Sequence, residues 1–257
     1  MPGKSRNRNG LIASSFRLLG RGAKLAEILV FPSACRRCGK LLEQPGERIV
    51  CPPCLNLLVP CPAPYCTRCG RFFDGDGEPH ACAACVEARA PFSVHRSAAR
   101  YEGAVKDVLL LFKYRSLRPL GRPLAGFVHA ALRGANALWA DADFLVPVPL
   151  HRRRRRERGF NQAEVLAEEL SRLSGLPVQA RLMRKILPVR PQTSLRSDER
   201  RTNVRGAYRV VRPDDVGGKT IILVDDVFTT GSTMRECALM LRRAGAKDVR
   251  GLTVARA

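Results

Sequence analysis

Val224-Asp225-Asp226-Val227-Phe228-Thr229-Thr230-Gly231-Ser232-Thr233 joins an apolar strand to a helix, and its reading decides the fold. Thr220 to Val224 is a β-branched and apolar run of the length expected for a buried parallel strand. Two carboxylates stand at its carboxyl end. The Thr-Thr-Gly-Ser-Thr turn after them offers hydroxyls and backbone N–H groups at a helix start, where orphan donors and the positive dipole end favour a phosphate. Gly231 lets the backbone approach such a group closely. A helix cap alone needs one short polar side chain, so this grouping of acids, hydroxyls and glycine exceeds what capping requires.

Outward from this stretch, helical and strand periods alternate. Val105, Val108, Leu109 and Phe112 share one helical face, and Leu124, Phe127, Val128, Ala131 and Leu132 mark a second helix. Phe144 to Val148 reads as a strand whose prolines, Pro147 and Pro149, predict an irregular loop after it. Asn161 caps the next helix, Glu164 is placed to close a capping box, and Ala163, Leu166, Ala167, Leu170 and Leu173 form its buried stripe. Gly175 and Pro177 stop it. Strand segments at Val178 to Leu187, Ala207 to Val211 and near Val249 to Val254, with a helix from Ser232 to Ala244, continue the pattern. It predicts an α/β fold, a mostly parallel sheet with helices on both faces, which binds ligands beyond the carboxyl ends of its strands.

The other half of the organisation is written in cysteine. Cys35, Cys38, Cys51 and Cys54 form C-x2-C-x12-C-x2-C, and Cys66, Cys69, Cys82 and Cys85 repeat it 31 residues later. Arg37-Cys38-Gly39 matches Arg68-Cys69-Gly70, and Gly46-Glu47 matches Gly77-Glu78, at the same offset. Four thiolates in two short hooks suit tetrahedral zinc, and a glycine after a hook's second cysteine eases the turn around the metal. Two structural zinc ions are expected. Adjacent and interleaved pairing of the hooks both satisfy the spacing. His80 is a substitute ligand or a loop residue, Cys61 has no evident role, and Cys237 lies at core spacing with Met234, Ala238 and Leu241. A disulfide framework would need an oxidising compartment. The segment from Leu11 to Val30 is broken by Arg17, Arg21, Lys24 and Glu27, so it reads as neither a signal sequence nor a membrane span, and a cytoplasmic location with reduced thiols follows.

The 257 residues accommodate a basic amino-terminal segment (1–30), a double zinc ribbon (31–90) and an α/β domain (91–257). The net charge is +22, and residues 150–205 alone carry fifteen Lys and Arg against six Asp and Glu. Five consecutive arginines, Arg152, Arg153, Arg154, Arg155 and Arg156, lead that segment. Such a surface can track a phosphate backbone, steer an anionic ligand or keep the chain soluble. Aromatic residues make up only 6%, so backbone contact is the expected mode with nucleic acid, rather than base stacking. Membrane contact ranks lower, because no amphipathic anchor flanks the run. No Gly-x4-Gly-Lys-Ser/Thr sequence occurs, so a motor activity has to come from another chain.

The stretch from Val224 to Thr233 resembles the phosphoribosyl pyrophosphate (PRPP) loop of type I phosphoribosyltransferases. That resemblance implies that Asp225 and Asp226 accept the ribose hydroxyls, and that Thr229, Thr230, Gly231, Ser232 and Thr233 cradle the 5'-phosphate of PRPP bound with magnesium. Arg158-Gly159-Phe160 is similar to one version of the superfamily's pyrophosphate loop, and Lys113 and Tyr114, beyond a helix, are candidates to reach the phosphates. The order of motifs resembles the ComF family: the paired cysteine hooks, Leu111-Phe112-Lys113-Tyr114-Arg115, Val146-Pro147-Val148-Pro149-Leu150, Arg158-Gly159-Phe160-Asn161-Gln162-Ala163, Asn203-Val204-Arg205-Gly206-Ala207, and the stretch from 224 to 233. The implied fold is a type I phosphoribosyltransferase-like domain preceded by a zinc-ribbon module. The implied role is DNA uptake in natural transformation, with single-stranded DNA and a helicase-type ATPase as partners. The other reading is an active transferase with an unidentified acceptor. No catalytic residue is singled out, and the loop from Arg190 to Gly206 reads as a mobile flap or a solvated loop.

Overall fold

The computed structural model describes residues 34–42, 49–88, 90–113, 115–187 and 204–257. The basic segment 1–30, Gly46 and Glu47, Tyr114 and most of the candidate flap lie outside them. The chain divides into two compact units, Met1–Leu55 and Asn56–Ala257. This division differs from the expected boundary near residue 90: the first set of four cysteines belongs to one unit and the second set to the other. Short helices end each set, α1 (Pro52–Leu55) in the first and α2 (Ala83–Glu87) in the second.

The second unit is built on four parallel strands, β1 (His95–Arg100), β2 (Phe144–Pro147), β5 (Thr220–Phe228) and β6 (Asp248–Arg256), in the order β1-β6-β5-β2. Ile221, Ile222, Leu223 and Val224 are all buried, as a strand covered on both faces requires. Val178 adds a parallel bridge to Leu145 on the outer side of β2. From β2 the chain therefore moves outward through α7 (Gln162–Ser174), whereas from β5 it moves the other way through α8 (Ser232–Arg243) to β6. The connections diverge between β2 and β5, which makes the carboxyl ends of those two strands the topological switch point.

Helices α3 (Gly103–Phe112) and α4 (Gly121–Leu132) bury the stripes expected of them, except that Phe127 and Ala131 are only partly covered. A four-residue helix, α5 (Asn136–Trp139), precedes β2. Asn161 caps α7 by accepting from the Ala163 N–H at 3.2 Å. Glu164 pairs with Arg155 at 3.0 Å, so that carboxylate stabilises a neighbouring helix, and Leu173 is exposed at the end of its stripe. The expected loop after β2 is instead a helix, α6 (Arg152–Arg158): His151 caps it, and Gly159 ends it in the left-handed conformation at φ 81°. Prolines 147 and 149 precede this helix rather than enter it, so they leave its hydrogen bonds intact. The segment expected to be one strand from Val178 to Leu187 gives only the bridge at Val178 and β3 (Met183–Lys185). β3 pairs antiparallel with β4 (Tyr208–Val210) in a separate two-stranded sheet.

Sequence periodicity did not mark β1, because His95, Arg96 and Ser97 are polar and nevertheless buried. Its outer edge is covered from within the second unit: the His95 N–H donates to the Arg68 carbonyl at 2.7 Å, and the Cys61 N–H to the Ala98 carbonyl at 2.9 Å. An edge strand closed in this way offers no template for further pairing.

Candidate functional site

The two cysteine sets repeat the same backbone bonds in their knuckles. Cys35 donates its N–H to the Lys40 carbonyl and Cys66 to that of Arg71, both at 2.7 Å, and Gly39 and Gly70 close the two knuckles onto the carbonyls of Cys35 and Cys66. Both glycines hold the left-handed φ that the sequence demanded, 76° and 64°. Hooks pair within each set: the ligand atoms of Cys35, Cys38, Cys51 and Cys54 lie within 4.8 Å of one another, and so do those of Cys66, Cys69, Cys82 and Cys85. His80 is not part of either group. It stacks on Phe73 at 4.4 Å.

Each set fits zinc. A tetrahedron with metal–sulfur bonds of about 2.3 Å has edges of about 3.8 Å; Cys38 and Cys51 sulfurs are 3.7 Å apart, and Cys69 and Cys82 sulfurs 3.8 Å. The Cys69 and Cys82 N–H groups point at the Cys66 sulfur at 3.4 and 3.3 Å. Burial opposes ionisation of Cys66, but these N–H bonds outweigh it and bring the thiol down to about 6. Burial, then the Cys69 sulfur, pushes Cys85 up. The four sulfurs therefore need a cation to be ionised together, and a divalent metal supplies it. Four thiolates on one zinc leave a double negative charge. Two largely buried guanidiniums are placed to balance it, Arg96 on the Cys66 carbonyl at 3.4 Å and Arg256 on the Cys69 carbonyl at 2.8 Å. This second set is part of the core of the α/β unit, packed with Phe92, Phe144 and Phe228.

A cleft of about 190 Å3 opens at the switch point. Asp225, Asp226, Thr229, Gly231, Ser232 and Thr233 line it, with Lys113 and Arg158 bringing cations to the same space. Thr230 is not in its wall; its hydroxyl lies 3.0 Å from that of Ser232 and steadies the turn. β5 runs four residues beyond Val224, so both carboxylates are strand residues, each accepting a backbone bond from the next N–H at 2.9 and 2.8 Å. Burial, then repulsion from Asp226, holds the Asp225 carboxyl well above its ordinary value. Lys185 opposes that shift. Gly231, at φ 73°, stands at the cap of α8 and brings no side chain to it, while the Thr230 hydroxyl accepts from the Ser232 N–H at 3.4 Å; Gly231, Ser232 and Thr233 bring the amino-terminal turn of α8 to the cleft. A Cβ at that glycine would stand 2.2 Å from the Phe228 ring.

Arg158 is oriented by Gln162, which accepts from it at 2.9 Å, and Gln162 also donates to the Phe112 carbonyl at 3.4 Å. Phe160 is buried against Phe112, with ring centroids 5.6 Å apart. Within Arg158-Gly159-Phe160, then, the arginine faces the cleft, the glycine turns the chain and the phenylalanine anchors it. Arg152 to Arg156 occupy α6, partly paired: Arg153 with Glu157 at 3.1 Å, Arg154 with Glu157 at 4.0 Å and Arg155 with Glu164 at 3.0 Å. Val227, Phe228, Met234 and Thr253 complete the cleft wall, and nothing in the sequence around Met234 and Thr253 marked those two in advance. Among the described residues, no helix is long and apolar enough to cross a membrane.

Comparison with known proteins agrees with this geometry. Residues 157–257 match the family described as "Phosphoribosyl transferase domain". The carboxyl-terminal part of the chain is thus a domain of phosphoribosyltransferase type, attached to a cysteine-rich module. Competence protein F of Haemophilus influenzae is 32% identical over 149 residues, which cover 57% of this chain and 65% of that protein. Competence protein ComFC of Bacillus subtilis is 30% identical over 166 residues, 63% of this chain and 64% of its own. DNA utilization protein YhgH of Escherichia coli K12 is 38% identical over 107 residues, 42% of this chain and 46% of its own. The chain spans roughly half to two thirds of the length of these curated relatives. The ComF resemblance read from the ordered motifs holds: the chain is a homologue of competence protein F, ComFC and YhgH.

Proposed function

We propose that this chain is a phosphoribosyltransferase-fold accessory protein of DNA uptake. In this reading it takes magnesium-bound PRPP in the cleft at the switch point, lays single-stranded DNA along the arginine helix, and works with a helicase-type ATPase. The observation that carries the proposal is the meeting of Asp225 and Asp226, the Thr229–Thr233 turn, Lys113 and Arg158 in one cleft. Carboxylates suit a ribose diol, a helix start suits a 5'-phosphate, and two cations suit pyrophosphate. The names of the relatives, competence and DNA utilization, support the biological role. Magnesium, when bound, would neutralise pyrophosphate charge, leaving the chain's own residues to orient ribose and phosphates.

The convergence of both cations beside the carboxylates also supports a second reading, active transfer to an unidentified acceptor, since a departing pyrophosphate needs such groups. Calorimetric titration with PRPP and magnesium tests the cleft: saturable binding that is lost in the Asp225→Asn, Asp226→Asn double variant is expected, and unchanged affinity in the folded variant overturns it. Pyrophosphate release with a panel of nucleophilic acceptors then separates the readings, because release requires transfer and binding alone does not.

A further inference from the structure

The second cysteine set is connected to the phosphate turn through side chains that neither the metal site nor the cleft by itself explains. The Cys69 carbonyl accepts two bonds, from Arg256 at 2.8 Å and from His95 Nδ1 at 3.0 Å. A carbonyl only accepts, so Nδ1 carries the proton and Nε2 is left as an acceptor. Nε2 faces the Thr253 hydroxyl at 3.2 Å, in the wall of the cleft, and Ser97 holds the same hydroxyl at 2.7 Å. Burial keeps this imidazole neutral, with its pKa at about 3.

The same two donors grip Phe228. The His95 and Phe228 ring centroids are 4.1 Å apart, and the Arg256 guanidinium lies 4.4 Å from the centroid of the Phe228 ring. Phe228 in turn lies against Gly231, so closely that no side chain fits between the ring and the turn. Cys69, His95 or Arg256, Phe228 and Gly231 form one unbroken chain of neighbours from a metal ligand to the cap of the phosphate-binding helix.

We infer that His95, Arg256 and Phe228 are positioning residues that couple metal binding at the second cysteine set to ligand binding at the Thr229–Thr233 turn. This inference rests on the PRPP reading of the cleft. A metal that fixes the Cys66–Gly70 knuckle fixes the Cys69 carbonyl. Without it, a buried donor and a half-buried one lose a rigid acceptor, the ring they hold loses its support, and the left-handed turn at Gly231 loses its wall. Linkage makes the effect reciprocal: a ligand that fixes the turn strengthens the metal site by the same factor. The network contains no residue of the first cysteine set, which serves as an internal reference with identical ligands.

The test uses the full chain loaded with zinc, in equilibrium competition with a chromophoric chelator, with and without saturating PRPP and magnesium. A Cys35→Ser, Cys38→Ser variant, which keeps only the second site, assigns the response, and the Asp225→Asn, Asp226→Asn variant controls for zinc binding by PRPP in solution. The expected result is that PRPP tightens zinc at the second site by about fivefold or more and leaves the first unchanged. Phe228→Leu, which preserves all eight cysteines, should abolish the tightening while zinc stays bound. If calorimetry shows PRPP binding and zinc affinity is unchanged, or changes equally at both sites, the coupling is overturned and the cleft reading stands. If PRPP does not bind at all, both fall.

Discussion

Replacing Asp225 by asparagine should make the ligand-free protein more stable while removing the proposed magnesium-dependent affinity for PRPP. The carboxyl is partly buried in the carboxyl-terminal half of β5 beside a second carboxylate, and burial followed by that repulsion holds it well above its ordinary value. Asparagine keeps the shape and can still accept the Asp226 N–H, now 2.9 Å from Oδ1, without the charge. Each pH unit by which folding raises the carboxyl corresponds to about 1.4 kcal/mol by which the folded state disfavours the ionised form. For a domain of this size, about 1 kcal/mol moves the melting temperature by about 2–4 °C. The sign with pH is fixed. A carboxyl raised on folding binds its proton more tightly in the native state, so wild-type stability falls as pH rises from the unfolded-state value toward the native one, and is then level. The amide of the variant does not titrate and escapes this decline. Its advantage should therefore widen with pH until the native value is passed and hold from there. Thermal unfolding of both zinc-loaded proteins between about pH 5.5 and pH 9 measures it, below which thiolate protonation would unload the metal. A variant no more stable than the wild type anywhere in that range, or an advantage that shrinks as pH rises, would refute the reasoning.

Three further outcomes are expected. Elemental analysis of protein prepared without chelators should give two zinc ions per chain, one for each set of four sulfurs, and one or none would contradict the geometry of those sets. Gly231→Ala should weaken PRPP binding and destabilise the chain by at least about 1–2 kcal/mol for the left-handed backbone alone, with the Phe228 clash at 2.2 Å in addition; equilibrium denaturation and calorimetry report both. Replacing Arg152 to Arg156 by alanine should weaken single-stranded DNA binding for all sequences and flatten the salt dependence by about 0.7 in slope for each phosphate that the variant no longer neutralises. An unchanged slope in the folded variant would make α6 a solvated face.

The sequence yielded those parts of the fold where one residue type has one structural use. Gly39, Gly70, Gly175 and Gly231 all adopt the positive φ for which only glycine is well suited, and each ends a hook or bounds a helix as anticipated, whereas Gly159 adopts it at the end of a helix that was not expected. The strand at Ile221 to Val224 was visible because it is buried on both faces and apolar throughout. Strand β1 was not, since His95, Arg96 and Ser97 satisfy their polar groups on the cysteine module and on β6, and periodicity cannot see a partner distant in sequence. The same cause hid Thr253 and Arg256 from the site. Helix α6 was hidden by the prolines before it and by a polarity that gives no apolar face; its order comes from the His151 cap, the Gly159 stop and the pairing to Glu157.

The duplication shows how identical local chemistry acquires different consequences. Both sets of cysteines repeat the same knuckle bonds, and Arg37 and Arg68 even reach the same equivalent residue, the first on the Cys54 sulfur at 3.7 Å and the second on the Cys85 carbonyl at 3.1 Å. Cys38 is exposed, whereas its counterpart Cys69 is buried and gives its carbonyl to two donors from β1 and β6. Exposure leaves a ligand open to chelators and partners; burial within a sheet's core makes the same ligand part of what holds the sheet. Chelation of the second set should therefore disturb β1, β6 and the turn after β5 together, an effect that a freely appended zinc module would not produce. Hydrogen exchange at Gly251 to Ala255 and Phe228 to Ser232, before and after zinc removal, distinguishes the two cases: protection that disappears at both segments together fits the shared core, and protection unchanged there assigns the second set no part in the proposed phosphate site.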